Sequence, residues 1–402
     1  MGPVEVSVTA VLGDRSLFPA LAPRAYLNHA AVSPLSTPVR AAMEEVLDLF
    51  AADGVAAVGP TIEGRQQLRA EVADWLGVSA DDIGLPPGTT RGIVDLALAV
   101  PWQPGDRVIT FGGEFPSNVT PWHTACRRFG GAHTTIDLAG FHGPSGDGLA
   151  QVEAELARGG VRVVAVSAVQ FRSGLRMPLG ALGRLAHTHG AWLFVDAIQG
   201  LGAVPLDLAE VDLLVAGGHK FLMGPDGIAV AMARPAVRDA LRPLTAGWLS
   251  AEDPLDFLFA PGLLSYDRPI RPSLDWMEGG VQSSAAIAGL RAAIGLLRGV
   301  GVAGIFGHVQ AYHDALEEPL QALGLRSLRS ADPAGRSASL CFTVPPSVDV
   351  GDLARGLGER GVAVSTPDGH LRLAPHWPNA IAETEGIVEA MAEVLGDPTG
   401  QL

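Results

Sequence analysis

Short apolar segments alternate with helical patterns through the middle of the chain, and this alternation restricts the possible folds more than any other feature. Helical patterns at 119–129 and 179–189 fall between segments of strand length. Seven such strand segments are found, at 83–85, 107–110, 134–137, 161–169, 191–195, 212–216 and 227–233. Alternation of this kind predicts a mostly parallel sheet with helices on both faces. We therefore expect an α/β fold with a seven-stranded sheet.

The pattern changes on both sides of this core. Residues 1–25 are rich in turn-forming types and are predicted to form an N-terminal arm. Beyond a proline-rich stretch that ends near Asp275, two long helices are followed by short strands and a final helix. We predict a large domain over 26–284 and a small α+β domain over 285–402.

Composition limits the partners and the compartment. The chain has 402 residues, with 28 Lys and Arg against 43 Asp and Glu, so its net charge is −15 and a nucleic-acid partner is not expected. Two cysteines, Cys126 and Cys341, give neither a disulfide framework nor a metal motif, and His187 and His189 lack partners for zinc. The beginning of the chain resembles no signal peptide, and no apolar run reaches membrane-spanning length. We expect a cytoplasmic protein without a metal or a membrane partner, acting on small ligands.

Two polar residues follow two of the predicted strands at their carboxyl ends, Asp196 after 191–195 and Lys220 after 212–216. Ligand sites of parallel sheets form at such ends, so the two side chains are expected in one crevice. A buried lysine has a lowered pKa and is then a nucleophile toward an aldehyde, which is how pyridoxal phosphate (PLP) is anchored as a Schiff base. An acid beside the pyridine nitrogen would keep the ring protonated. Alternatively, Asp196 caps a helix and Lys220 is a solvated loop residue.

Two stretches of sequence carry a resemblance to a known family. Val195-Asp-Ala-Ile-Gln199 and Gly218-His-Lys-Phe-Leu-Met-Gly-Pro225 resemble class V aminotransferases, in the branch of cysteine desulfurases, cystine C–S lyases and isopenicillin N epimerases. The similarity of pattern runs from about Tyr26 to about Asn379. It implies the PLP-dependent transferase fold type I, with PLP as cofactor and an amino acid as substrate.

The segment Pro87-Gly-Thr-Thr-Arg-Gly precedes a predicted helix that runs to Val100. Backbone N–H groups at a helix start suit a phosphate, and Gly88, Thr89 and Thr90 match the family's phosphate-binding positions. A plain helix cap is the alternative, and the two interpretations are compatible.

Further cofactor contacts are implied by the resemblance alone. Phe115 matches the residue that stacks on the pyridine face, although a core phenylalanine is the alternative. Gln199 would bind the ring hydroxyl, His219 would reach the phosphate, and Gln170 either approaches the cofactor or is a turn residue. Desulfurases have Ser where this chain has Gly217, so one phosphate contact is missing. Val281 lies in a loop that relatives extend to the partner's phosphate site, which implies a homodimer with active sites at the interface.

Substrate contacts are also expected. Arg372 matches the arginine that receives the substrate α-carboxylate, which a guanidinium can bind bidentately; the alternative is a strand arginine facing solvent. Asn28 and His29 lie in a loop that borders the site in the family, and His29 could equally cap the following helix.

The absence of a cysteine from the segment 361–369 suggests which reaction to expect. Desulfurases present a nucleophilic cysteine shortly before the arginine matched by Arg372, and 361–369 contains none. We therefore expect α,β-elimination from an S-substituted cysteine or a similar amino acid, a C–S lyase reaction, with Lys220 removing the α-proton. Epimerisation and aminotransfer are the alternatives, because one PLP site supports several reactions. A regulatory subunit without catalysis is a further possibility, opposed by the intact Asp196, Gln199 and Lys220.

Overall fold

The computed structural model describes residues 9–142 and 146–396. The first eight residues of the predicted N-terminal arm, and the last six of the predicted small domain, lie outside the described residues. The same is true of 143–145, which stand between two helices.

Twelve strands are assigned over the described residues. In chain order they are β1 (Ala25–Tyr26), β2 (Ile83–Gly84), β3 (Arg107–Phe111), β4 (Ala132–Ile136), β5 (Val161–Ser167), β6 (Trp192–Asp196), β7 (Leu213–Gly217), β8 (Ala229–Ala233), β9 (Arg326–Ser327), β10 (Leu340–Thr343), β11 (Val362–Ala363) and β12 (Leu371–Leu373).

Thirteen α-helices accompany them. They are α1 (Thr37–Asp53), α2 (Val58–Leu76), α3 (Thr89–Ala99), α4 (Thr120–Arg128), α5 (Ala139–His142), α6 (Gly148–Ala157), α7 (Leu179–Thr188), α8 (Pro235–Ala240), α9 (Asp256–Phe259), α10 (Ser284–Val300), α11 (Val302–Ala322), α12 (Val350–Glu359) and α13 (Thr384–Leu395). Short 3₁₀ turns include Pro116–Asn118 and Leu274–Met277.

The predicted seven-stranded sheet is confirmed, with strand order β2-β8-β7-β6-β5-β3-β4. β4, β3, β5, β6 and β7 pair in parallel, whereas β8 is antiparallel to both β7 and β2. Because β5, β6 and β7 are adjacent and parallel, their carboxyl ends lie side by side. This edge carries the predicted site.

Alternate residues of the central strands bury opposite faces of the sheet. Leu193 and Val195 of β6 belong to the core beneath α2, α6, α7 and α10, and Phe194 belongs to the core beneath α3, α4 and α8. Side chains of a strand point to opposite faces in turn, so a sheet covered on both sides reads as continuously apolar. The fold is therefore a three-layer α/β sandwich, as the class predicted from the alternation requires.

The C-terminal part has its own small sheet and core. β9, β10 and β12 form an antiparallel sheet in the order β12-β10-β9, which packs with α11, α12 and α13. β1 pairs in parallel with β11, so the beginning of the chain is bound to this part. The boundary near residue 285 remains a prediction.

Among the described residues, no single helix is long and apolar enough to cross a membrane, although α10 and α11, bent by 76°, meet the criterion together.

Candidate active site

Asp196 and Lys220 are brought to one crevice by the parallel strands. Asp196 is the last residue of β6, where its register partners are Ser167 of β5 and Val215 of β7. Lys220 follows the end of β7 by three residues. Each side chain affects the pKa of the other through its charge, so the two groups lie within electrostatic reach.

Burial gives both groups shifted pKa values. It lowers the pKa of the Lys220 amine to about 8, against the attraction of Asp196 and with a further lowering from Arg372. Burial also raises the pKa of Asp196 to about 7. The hydrogen bond from the Ile198 N–H lowers this pKa, the negative charge of Glu114 raises it further, and the positive charge of Lys220 lowers it. Loss of hydration disfavours whichever form is charged. A cation placed beside Asp196 would restore the ionised carboxylate.

The backbone around Lys220 is held by hydrogen bonds from the N-terminal segment. Ser33 Oγ donates to the Lys220 carbonyl at 2.6 Å, and Ser33 N donates to the His219 carbonyl at 2.7 Å. Met223 closes the turn with a φ of 54°, a left-handed conformation that is uncommon outside glycine. These contacts fix the lysine loop independently of any ligand.

Two residues predicted to bind phosphate, Thr89 and His219, approach Gly217 at the start of α3. A Cβ added to Gly217 would lie 2.5 Å from Thr89 Oγ1 and 3.4 Å from the His219 ring. Thr89 Oγ1 is buried and has no hydrogen-bond partner among the described residues. Thr89 therefore fills the position that a serine at 217 would need. Thr90 differs, because its exposed hydroxyl faces Ser117 Oγ at 2.8 Å.

Three further buried side-chain oxygens near these strand ends lack partners in the described part of the chain: Asn28 Oδ1, Gln170 Oε1 and Gln199 Oε1. Gln199 is held by its amide nitrogen, which donates to the Ala30 carbonyl at 3.1 Å. A buried unpaired acceptor costs about 1–3 kcal/mol, so such atoms indicate a missing ligand. Together with Lys220 and Asp196, this donor and acceptor set fits PLP.

Phe115 is not a core residue, since its side chain is 46% exposed. Lys220 Nζ lies 5.5 Å from the centre of its ring, and Phe171 packs edge-on against it at 5.5 Å. The ring therefore has an open face beside the lysine.

Arg372 does not face solvent, which removes the alternative interpretation. Its side chain is buried, Nε donates to Ser365 Oγ at 3.1 Å and Nη1 donates to the Phe171 carbonyl at 2.8 Å. Burial lowers the pKa of its guanidinium from the ordinary value. A substrate carboxylate placed between Lys220 and Arg372 would therefore contact a guanidinium that is held in a fixed position.

Burial argues against the expectation that His29 contacts substrate. Its ring is only 1% exposed, and Nδ1 lies 2.8 Å from Ser33 Oγ. It does not cap α1 either, because Ser36 precedes that helix. His29 instead supports the serine that holds the lysine loop. His376 and Trp377 are also buried, and His376 Nε2 lies 3.1 Å from the carbonyl of Phe221, the residue after Lys220.

Val281 is 87% exposed and lies beside Pro87 and Gly227 at the rim of a cavity of about 500 Å³. Its predicted contact with a partner subunit remains a prediction.

Glu114 is a buried carboxylate that the sequence did not reveal. Its Oε1 accepts hydrogen bonds from Ser167 N at 2.7 Å and from Gln170 Nε2 at 2.9 Å. Ser167 Oγ donates to Oε2. Glutamate between a glycine and a phenylalanine resembles an ordinary turn residue, and its partners are more than 50 positions away. No local signal could have identified it.

This chain is similar to one protein family and to several known proteins. The family model described as Aminotransferase class-V matches residues 25–377. A probable cysteine desulfurase of Chlamydia trachomatis is 30% identical over 304 residues, 74% of this chain and 72% of the relative. An uncharacterized aminotransferase, YcbU of Bacillus subtilis, is 26% identical over 94% of this chain and 96% of the relative.

Solved structures share the fold. The cysteine desulfurase of Thermococcus onnurineus superposes with a TM-score of 0.81 at 24% identity, covering 92% of this chain and 94% of its own. The cystine C–S lyase C-DES, in complex with cysteine persulfide, gives 0.83 at 22% identity, covering 94% and 99%.

Proposed function

The chain belongs to the class V aminotransferase family of PLP-dependent enzymes, and on that premise we propose that it is a C–S lyase. It would cleave an S-substituted cysteine or a similar amino acid by α,β-elimination, without forming a persulfide on the protein. The observation that carries the proposal is the state of the two cysteines.

Both thiols are buried and protonated. Cys126 lies in α4 and Cys341 in β10, each with no exposed surface. Burial raises their pKa values to about 11 and about 12. A thiolate is the form that accepts sulfur, and a buried neutral thiol is inert. Cys341 is the register partner of Arg372, yet burial in the small sheet withholds it from substrate.

PLP, when bound, accepts the electrons released at the substrate α-carbon. In the proposed site Lys220 would hold the cofactor aldehyde, Asp196 would pair with the ring nitrogen, and Phe115 would contact the ring. Thr89, with the N–H groups that begin α3, receives the phosphate together with His219. Gln199 presents its unpaired oxygen to the ring hydroxyl.

In this proposal the substrate amine takes the place of Lys220 at the aldehyde, and the released Lys220 amine would then move the proton. An amine with a pKa of about 8 is partly neutral near pH 7 to 8, which suits a general base at the α-carbon. Arg372 binds the α-carboxylate and so fixes which bond at that carbon faces the lysine. With the proton removed, the β-sulfur leaves as thiol.

Incubation with cystine, S-alkyl cysteines and other thioether amino acids tests this proposal. We expect pyruvate, ammonia and a thiol or persulfide in equal amounts, and no product with Lys220→Ala. A double variant Cys126→Ala/Cys341→Ala should retain the activity. No release of pyruvate or ammonia from any of these amino acids would overturn the proposal, as would loss of this activity in the cysteine-free variant.

Aminotransfer is the second candidate, because the Bacillus subtilis relative that spans most of this chain is named an aminotransferase. It would give a keto-acid-dependent product without pyruvate release. Epimerisation has less support, since Phe115, the aromatic residue beside Lys220, cannot exchange protons. Solvent deuterium in an inverted amino acid would identify it.

A further inference from the structure

A chain of hydrogen bonds with a fixed direction runs from Trp122 to Glu114. The indole of Trp122 can only donate, and its Nε1 lies 3.3 Å from Asn118 Oδ1. Asn118 therefore turns its amide nitrogen to Ser167 Oγ, at 3.4 Å. Ser167 Oγ, having accepted that bond, donates its own proton to Glu114 Oε2. The indole of Trp122 sets the donor direction of the whole chain of hydrogen bonds, and the carboxylate of Glu114 accepts the last one.

The other oxygen of Glu114 is also an acceptor. Ser167 N and Gln170 Nε2 both donate to Oε1. An ionised carboxylate therefore accepts all three hydrogen bonds directly, whereas a proton on Oε2 would compete with the Ser167 hydroxyl. Burial raises the pKa of Glu114, and donors from Ser167, Gln170 and Asn118 oppose that shift. Hydrogen bonds to the charged form are what keep a buried carboxylate ionised.

Glu114 in turn determines what Gln170 presents to the site. Because the amide nitrogen of Gln170 is occupied by Glu114, its oxygen faces away from the carboxylate, buried and without a partner in the described residues. Asp196, whose register partner is Ser167, is a group whose pKa the charge of Glu114 raises. Arg172 also lies nearby, because its guanidinium carbon would be 3.9 Å from a Cβ added to Gly113. The charges of Asp196 and Arg372 act on Lys220, which in turn lowers the pKa of His219 and has its Nζ 5.5 Å from the centre of the Phe115 ring.

We propose that Glu114 is a permanently ionised second carboxylate of the site, which fixes Gln170 as a hydrogen-bond acceptor toward the bound cofactor and adds its negative charge to that of Asp196. Glu114 is a positioning residue, since it acts through Gln170 and through its charge. The inference rests on the proposed binding of the cofactor by Lys220 and Asp196 and not on the lyase reaction.

Glu114→Gln separates charge from geometry. A glutamine can keep Oε1 toward Ser167 N and Gln170 Nε2, which preserves the orientation of Gln170. Its Nε2 would donate to Ser167 Oγ, so the Ser167 hydroxyl proton must turn away from residue 114. The measurement is the pH titration of the absorbance band of the PLP-lysine adduct in the holoenzyme. We expect the midpoint to fall by about half a pH unit or more, since a negative charge that stabilises the protonated adduct is lost.

The control is Glu153→Gln, which removes the same charge from an exposed position of α6 and should leave the midpoint unchanged. An unchanged midpoint in Glu114→Gln would show that Glu114 is neutral and would overturn the proposal. A wild-type protein without the band would instead overturn the cofactor-binding roles of Lys220 and Asp196.

The orientation of Gln170 is tested by the affinity of each apoprotein for PLP. We expect Glu114→Gln to bind within twofold of the wild type, and Gln170→Ala to bind about 3- to 10-fold more weakly through loss of one hydrogen bond. Glu114→Ala should weaken binding similarly, with little added loss in the double variant. Additive losses would contradict action through Gln170. If Glu114→Ala does not fold, a Gln170→Ala protein with wild-type affinity would still overturn the acceptor role.

Discussion

Lys220 owes its expected reactivity to the loss of water around a single amine. Its ordinary pKa of 10.5 would leave almost none of the nucleophilic form at neutral pH, whereas a pKa of about 8 makes a substantial fraction available. Burial is the main cause, and Arg372 contributes a smaller lowering of the same sign. The cation that we propose binds the substrate therefore also lowers the pKa of the lysine.

The pH dependence of cofactor uptake tests this account. When apoprotein is mixed with PLP, we expect the rate at which the absorbance band forms to rise with pH and level off above a midpoint near 8, because only the neutral amine attacks the aldehyde. Arg372→Gln should move the midpoint upward by about half a pH unit, since a repelling charge is removed.

Arg326→Gln, which alters an exposed arginine of β9, is the matched control and should leave the rate profile unchanged. A wild-type midpoint above pH 10 would mean that Lys220 is hydrated and not desolvated.

At the residue scale, sequence reasoning succeeded where a side chain follows a strand directly. Asp196 and Lys220 could be placed together because parallel strands end at one edge, and the distance in sequence does not matter. Glu114 and Ser33 could not be found in this way. Glu114 contacts a residue 53 positions away in sequence, and Ser33 contacts one 187 positions away. Such contacts can be identified only from the packed fold.

At the scale of elements, β7 and α3 are packed closely enough to explain an unusual glycine. The family's serine at position 217 would need the space that Thr89 Oγ1 occupies. The residue types at positions 89 and 217 therefore depend on each other. The hydroxyl of Thr89 lies near the place where the hydroxyl of a serine at 217 would be.

We predict that Gly217→Ser destabilises the apoprotein by about 1–3 kcal/mol, the usual cost of overpacking, and weakens PLP binding although it adds a hydroxyl. Thr89→Ala in the same chain should restore the free energy of unfolding, as measured by urea denaturation, by removing the clash. A Gly217→Ser protein of wild-type stability with tighter PLP binding would contradict this packing argument.

Element boundaries show which local signals mislead. Helical periodicity in the sequence predicts a helix over 62–76, whereas α2 begins at Val58. Pro60 is compatible with this earlier start, because it falls in the first turn, where the backbone N–H has no helical partner. The short helix α8 was not predicted, since six residues give too little periodicity. The order of the strands in the sheet could not be predicted either, because it depends on pairing between strands that are distant in sequence.

At the scale of the whole molecule, many large apolar side chains are exposed. They concentrate in two stretches: Leu47, Phe50, Val55 and Val58, and Trp248, Phe257, Leu258, Phe259, Leu263, Leu264, Tyr266 and Val281. Monomeric soluble proteins rarely expose large apolar patches, so these stretches support the proposed homodimer.

Light scattering after size-exclusion chromatography is expected to give twice the 41.6 kDa of one chain. Val55→Asp should shift the protein toward monomer, because burying an unpaired carboxylate at an interface is costly. Ile381→Asp, on the C-terminal part of the chain, should remain a dimer. A wild-type protein that is monomeric at micromolar concentration would rule out the homodimer.

The strand formed by Ala25 and Tyr26 pairs with β11 of the C-terminal part, and Ser33, a few residues later, donates a hydrogen bond to the backbone of Lys220. Between them, Asn28 bridges to Ala374, two positions beyond Arg372. The segment 25–33 thus connects the strands around Arg372 with the loop that carries Lys220. If an amino acid binds at Arg372 as proposed, we expect a shift of those strands to reach the lysine amine along this short piece of backbone, without crossing the hydrophobic interior.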